Sequence, residues 1–214
     1  MRINADFERR VSVHFDETPW VPSPMPGVER KMLDRIGEEV ARATTIVRFA
    51  PGSAFSPHTH DGGEEFLVLD GMFQDESGDF PVGSYVRNPP TSRHTPSAEA
   101  GATILVKLHQ FDPMDRTVVR LDTTITRDPV LPLFHDAHEE VRIEHWDAEA
   151  QITLEAEGGL EVFVIDGSFA EGGETFAKWD WLRLPPGTDF RGQIGRDGAK
   201  VWVKSGHLKS MPEK

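Results

Sequence analysis

The chain contains no cysteine. Disulfides are excluded, and so is any thiolate metal ligand, so an ion could be held only by histidine and carboxylate. Long apolar runs are missing as well. No stretch approaches the ~20 apolar residues that a membrane-crossing helix needs. The opening Met1-Arg2-Ile3-Asn4-Ala5-Asp6 lacks the apolar core of a signal peptide. A cytoplasmic protein with no membrane partner is the expectation. Positive charge is scarce: 23 Lys and Arg stand against 36 Asp and Glu, a net charge of -13. DNA, RNA and anionic membranes are polyanions and would be repelled, so no nucleic-acid partner is expected. There is no serine nucleophile elbow, no phosphate-cradling glycine loop and no basic aromatic patch. Hydrolysis by serine, nucleotide binding and nucleic-acid binding are set aside on that ground.

Helical periodicity is nearly absent, and what fills the chain instead is short β-runs between turn signals. Residues 1–27 are polar and Pro-rich. Thr18-Pro19-Trp20-Val21-Pro22-Ser23-Pro24-Met25-Pro26-Gly27 reads as an extended arm, because proline removes donors and restricts the residue before it. Trp20 would be its anchor. Strands are expected over 28–36, 40–49, 65–69, 84–87 and 102–109, with a turn at Asp70-Gly71 and a connector over 111–128. Such spacing indicates an all-β sandwich or barrel.

The residues that carry chemistry are Pro57-His58-Thr59-His60-Asp61-Gly62-Gly63-Glu64-Glu65. Histidines at i and i+2 point to one side of an extended strand. Gly62-Gly63 lets the chain bend, and Glu64 returns to that side. His94 follows in the Pro-rich stretch Asn88-Pro89-Pro90-Thr91-Ser92-Arg93-His94. Three imidazoles and a carboxylate suit zinc, iron, nickel or manganese. The candidate metal ligands are therefore His58, His60, Glu64 and His94. No catalytic residue is assigned, and no organic cofactor site is visible.

The second half repeats the first. Glu65-Phe66-Leu67-Val68-Leu69-Asp70-Gly71 aligns with Glu161-Val162-Phe163-Val164-Ile165-Asp166-Gly167, 96 residues on. Tyr85-Val86-Arg87-Asn88-Pro89-Pro90 meets Trp181-Leu182-Arg183-Leu184-Pro185-Pro186 at the same offset. Two similar domains follow, expected over 1–120 (arm plus metal-binding barrel) and 121–214 (metal-free barrel). The repeat also supplies an internal control. His58 becomes Leu154, His60 becomes Ala156, Glu64 becomes Leu160 and His94 becomes Phe190. Four positions turning apolar together is what one shared interior demands, since buried ligands without an ion are costly unpaired polar groups.

At these residues the sequence resembles the cupins. Gly52, His58, His60, Glu64 and Gly71 match the first cupin motif, and Gly83, Pro89 and His94 match the second more loosely. Gly62 to Gly71 with Phe73-Gln74-Asp75-Glu76 and Asn88-Pro89-Pro90 is similar to the ChrR cupin-like family, named for the C-terminal part of a zinc-binding anti-sigma factor. The resemblance implies a tandem of two double-stranded β-helix (jelly-roll) barrels with one metal on His58, His60, Glu64 and His94. ChrR-type anti-sigma factors also carry a helical N-terminal zinc domain. The ~27 Pro-rich residues ahead of the first strand cannot build one, so direct sigma-factor binding is not expected. Similar cupins include dioxygenases that cleave diketones or hydroxyketones. Two functions follow as alternatives: an Fe(II)-type dioxygenase acting on a small ligand, and a zinc-binding sensor or regulator. A monomer and a homodimer both stay open.

The remaining polar residues have plainer readings. Glu65 alternates away from Glu64 and is kept as Glu161, which argues for structure. Arg87 and Tyr85 share a face whose counterparts Arg183 and Trp181 persist in the metal-free half, so they too read as structural. His135-Asp136-Ala137-His138 reads as a solvated lead-in to a strand rather than a second metal site. His14, His109, His145 and His207 are isolated.

Overall fold

A computed structural model describes residues 1–209, and every regular element in them is a β-strand. The chain divides into two compact units. One comprises Met1–Ala5 and Pro19–Ile125; the other comprises Asp6–Thr18 and the chain from Thr126 onward. Each unit is a barrel of antiparallel strands, as the turn spacing predicts, and of the jelly-roll kind that the family resemblance implies.

In the first unit the central strands run in the order Val28–Gly37, Ala41–Phe49, Ala102–Leu108, Glu64–Asp75, Ser84–Asn88 and Val119–Asp122. Alternation along Glu64–Asp75 sorts its side chains. Phe66 stands opposite Val106 and Val86, and Val68 opposite Ile104. All of these join Phe73 and Phe80 in one buried cluster that fills the barrel. Each such side chain contributes roughly 1.5–3 kcal/mol of burial. The other face carries Glu65 opposite Lys107 and Arg87. These charges are buried too, with Glu65 Oε1 accepting from the Tyr85 hydroxyl at 2.5 Å and Arg87 pairing with Asp115 at 3.0 Å. The structural reading of Glu65, Tyr85 and Arg87 agrees with these partners. The second unit repeats the arrangement, with Glu161 opposite Lys204 and Arg183. Trp20 lies against two cations of the first unit, 4.2 Å from the Arg48 guanidinium carbon and 5.0 Å from Lys31 Nζ.

Two expectations are corrected. No turn interrupts the chain at Asp70-Gly71; one strand runs from Glu64 to Asp75. Its register slips near Leu69, and Gly71 adopts φ +72°. A Cβ there would collide with the Gly101 carbonyl oxygen. Glycine thus kinks the strand around a barrel corner instead of reversing it. The domain boundaries also differ. Residues 6–18, expected with the first barrel, belong to the second unit, because Val11–Val13 pairs with Trp181–Arg183 as an edge strand. The equivalent edge of the first unit is covered by Val119–Asp122, which moves the boundary from 120 to 125.

Candidate metal centre

His58–His60 and Ser92–His94 form a two-stranded ribbon with His94 directly opposite His58. Period-two alternation places His58 and His60 on one face, and the ribbon register brings His94 to the same face. The chain then turns, with the Gly63 N–H donating to the His60 carbonyl at 3.2 Å. Gly63 has φ +77°, and a Cβ on it would stand 2.5 Å from the Phe111 ring. Only glycine makes this turn, and the turn delivers Glu64 to the histidines.

The four residues singled out by spacing converge. Ring centroids of His58, His60 and His94 lie 4.8–5.0 Å from one another. Nε2 of His60 is 2.9 Å from Nε2 of His94. Glu64 Oε2 is 3.4 Å from the first and 3.6 Å from the second. His60, Glu64 and His94 are buried, and His58 is exposed at the mouth. Three members of the set are thus shielded from solvent, and His58 alone faces it.

Further polar groups hold these side chains, and spacing did not reveal them. Asp75 Oδ2 is 3.1 Å from Nδ1 of His94, and the Ser56 carbonyl is 3.1 Å from Nδ1 of His58. Both oxygens accept, so each Nδ1 carries the proton and each Nε2 presents a lone pair. Asn88 Nδ2 donates to Glu64 Oε2 at 3.1 Å, and Arg120 Nη2 donates to Asn88 Oδ1 at 2.6 Å. Electrostatics agree with the geometry. Burial, with His58 and His109 adding to it and Asp61 opposing, lowers the His60 pKa to about 4. Burial raises the Glu64 carboxyl above its ordinary range, against the opposing influence of His94 and Asn88. At Asp75 burial raises the pKa, but the hydrogen bonds from Ser77 and His94 outweigh it and leave the carboxyl below its usual range.

The donor set fits an ion. Two ligands ~2.1 Å from one centre stand roughly 3.0 Å apart at a right angle and roughly 3.4 Å apart at a tetrahedral angle. The separations of 2.9, 3.4 and 3.6 Å lie within about 0.2 Å of that range. Elsewhere the histidines are structural or exposed. His135 and His138 are exposed, and Asp136 Oδ1 accepts from the His138 and Glu139 amides as a turn cap. His14 and His207 bind carboxylates of the second barrel. Among the described residues, His58, His60 and His94 form the one such cluster of potential ligands.

In the second unit the corresponding space is hydrocarbon. Ala156, Leu160 and Phe190 are fully buried in one cluster with Leu154 packed against it.

Residues 8–112 match the family model of the ChrR cupin-like domain. Several crystal structures share the fold. One from Nostoc punctiforme, whose assignment as a dioxygenase is provisional, superposes with a TM-score of 0.77 at 15% identity, over 96% of this chain and 85% of that one. A bacterial pirin from Escherichia coli in complex with nickel(II) gives 0.66 at 14% identity, over 92% and 98%. A variant oxalate decarboxylase from Bacillus subtilis gives 0.61 at 12%, over 91% and 76%. No curated protein matches the sequence. The chain has the fold of these cupin structures, built as two barrels. Its first barrel is of the ChrR cupin-like kind, and the histidine cluster lies in that barrel. Among the described residues, no helix is long and apolar enough to cross a membrane.

Proposed function

We propose that the chain is a metalloenzyme of the dioxygenase type, with one divalent transition metal held by His58, His60, Glu64 and His94. The observation that supports this most is the convergence of three imidazole nitrogens and a carboxylate, with His58 exposed to solvent. Zinc and iron fit the donors best, and manganese and nickel are compatible. When bound, the ion supplies Lewis acidity and free coordination positions for a small chelating ligand such as a diketone or hydroxyketone. The protein's own part is to orient. Asp75 and the Ser56 carbonyl fix the tautomers of His94 and His58. The phenylalanines beneath, with Phe73 6.3 Å from the His94 ring, keep water out. A soluble cytoplasmic setting and a small-molecule partner belong to this reading.

The family match of residues 8–112 favours a second reading, a zinc-bound sensor or regulator. One experiment separates the two. Metal content is measured on protein purified without added metal. Oxygen uptake is then followed after anaerobic Fe(II) reconstitution, with a panel of β-diketones and aromatic hydroxyketones. Iron-dependent uptake with one of them supports the enzyme. Stoichiometric zinc with no uptake after reconstitution overturns it in favour of the regulator.

A further inference from the structure

We infer that Arg120 and Asn88 form a relay that positions Glu64 for the metal, making Arg120 a positioning residue contributed by a strand outside the duplicated core. The inference rests on the metal reading above.

Its first support is hydrogen-bond polarity. A guanidinium can only donate. The atom 2.6 Å from Arg120 Nη2 must therefore be the Asn88 oxygen. That choice turns the Asn88 amide nitrogen toward Glu64, where it donates to Oε2 at 3.1 Å. The arginine is what fixes the amide; a flipped Asn88 would set its oxygen against the carboxylate. Arg120 is itself anchored, with Nη1 donating to the Arg87 and Val119 carbonyls at 3.2 and 2.8 Å. Glu64 and Asp75 both act electrostatically on its charge. Its position on the barrel side of the sheet follows from register, since Arg120 stands opposite the core residue Val86.

The second support is independent and comes from the metal-free half. Asn88 and Glu64 are direct cross-strand partners in the first barrel. The same two positions in the second barrel are Leu184 and Leu160, again direct partners and both fully buried. The position of Arg120 on the covering strand is taken by Ser12, opposite Leu182. Ligand, amide and arginine are thus absent together from the barrel that lacks the histidines. By contrast the opposite face of the sheet keeps its charges, Glu161, Arg183 and Lys204, all buried. A polar group serving only the scaffold would be retained like those; Asn88 and Arg120 are lost with the ligands.

The test is Zn²⁺ or Co²⁺ affinity of the metal-free full-length protein, by competition with a chromophoric chelator, beside the melting temperature of the metal-free form. Asn88→Leu is expected to weaken binding by about 10–100-fold, the range for groups that orient a ligand. Arg120→Ala should weaken it by about 10-fold with the metal-free melting temperature unchanged, and Arg120→Lys should recover most of that. Because the two act in series, adding Arg120→Ala to Asn88→Leu should cost nothing more. Wild-type affinity in Arg120→Ala or Asn88→Leu overturns the relay, and so do additive losses in the double variant. If Arg120→Ala does not fold, Asn88→Leu decides by the same criterion on its own. A wild type that takes up no metal, or a His60→Ala variant that binds as tightly as wild type, overturns the metal reading and the relay with it.

Discussion

Asp75 accepts a hydrogen bond from the ring of His94 at 3.1 Å, and its own side chain is only 2% exposed. It also accepts from the Ser77 amide at 2.7 Å, which aims it. A buried carboxylate behind an imidazole fixes the tautomer and raises ligand basicity.

Replacing Asp75 with Ala should therefore weaken metal binding by about 10–100-fold while every direct ligand stays in place. Chelator competition measures it. Undiminished affinity would mean that His94 is oriented by packing against Phe73 alone.

Metal should also stabilise the native state. At free metal 100-fold above Kd the gain is about 2.7 kcal/mol, visible as a rise in melting temperature that a chelator reverses. His58→Ala, His60→Ala and His94→Ala should each lose that rise. A rise that persists in any of the three would point to an ion bound elsewhere.

The metal-free half suggests a substitution set. His58→Leu, His60→Ala, Glu64→Leu, Asn88→Leu and His94→Phe transplant the residues of the second barrel into the first. A cluster of polar side chains, most of them buried, is replaced by hydrocarbon. The variant should fold, ignore chelators, and melt at or above the metal-free wild type. A molten or aggregated product would show that the two interiors are not interchangeable.

His14 lies 3.0 Å from Asp180 and 3.2 Å from Glu174, joining residues 6–18 to the second barrel. The Asp180 hydrogen bond leads in raising its pKa; burial opposes it, and Glu174 adds to the rise. The folded form thus prefers charged histidine, so this stabilisation is complete below the unfolded value of about 6.5 and fades as pH rises through the higher folded value. The stability difference between wild type and His14→Gln should be greatest at about pH 6 and shrink by about pH 9. Denaturant titrations at both pH values check it; a difference that grows with pH has the wrong sign.

Gly71 at φ +72° tests the barrel corner. Gly71→Ala should cost ~1–3 kcal/mol from the backbone alone, and more from the collision with Gly101. Urea denaturation measures this, and a neutral result would mean that the corner can relax.

The four converging residues were legible because spacing encodes most of them. His58, His60 and Glu64 lie within one short stretch, and the apolar counterparts Leu154, Ala156, Leu160 and Phe190 mark them, with His94, as one cavity. Asp75, Asn88 and Arg120 carry no such spacing. Asn88 meets Glu64 across 24 residues of sequence through strand register alone. The repeat did hold a signal for Asn88, in its replacement by Leu184, but not for Asp75, whose counterpart Glu171 is also acidic and binds Arg10 instead. The transfer of residues 6–18 to the second unit was illegible for a different reason. Val11-Ser12-Val13 is too short to show a period, and only pairing with Trp181–Arg183 reveals where it belongs.

That pairing sets how the chain can be divided. Cutting between Ile125 and Thr126 would send residues 6–18 off with the wrong piece. The carboxy-terminal fragment would then present the backbone of Trp181–Leu184 as a bare sheet margin, a template for adhesion between copies. An expression boundary that respects the architecture must fuse residues 6–18 to the second barrel, so no single cut in the sequence yields both barrels whole.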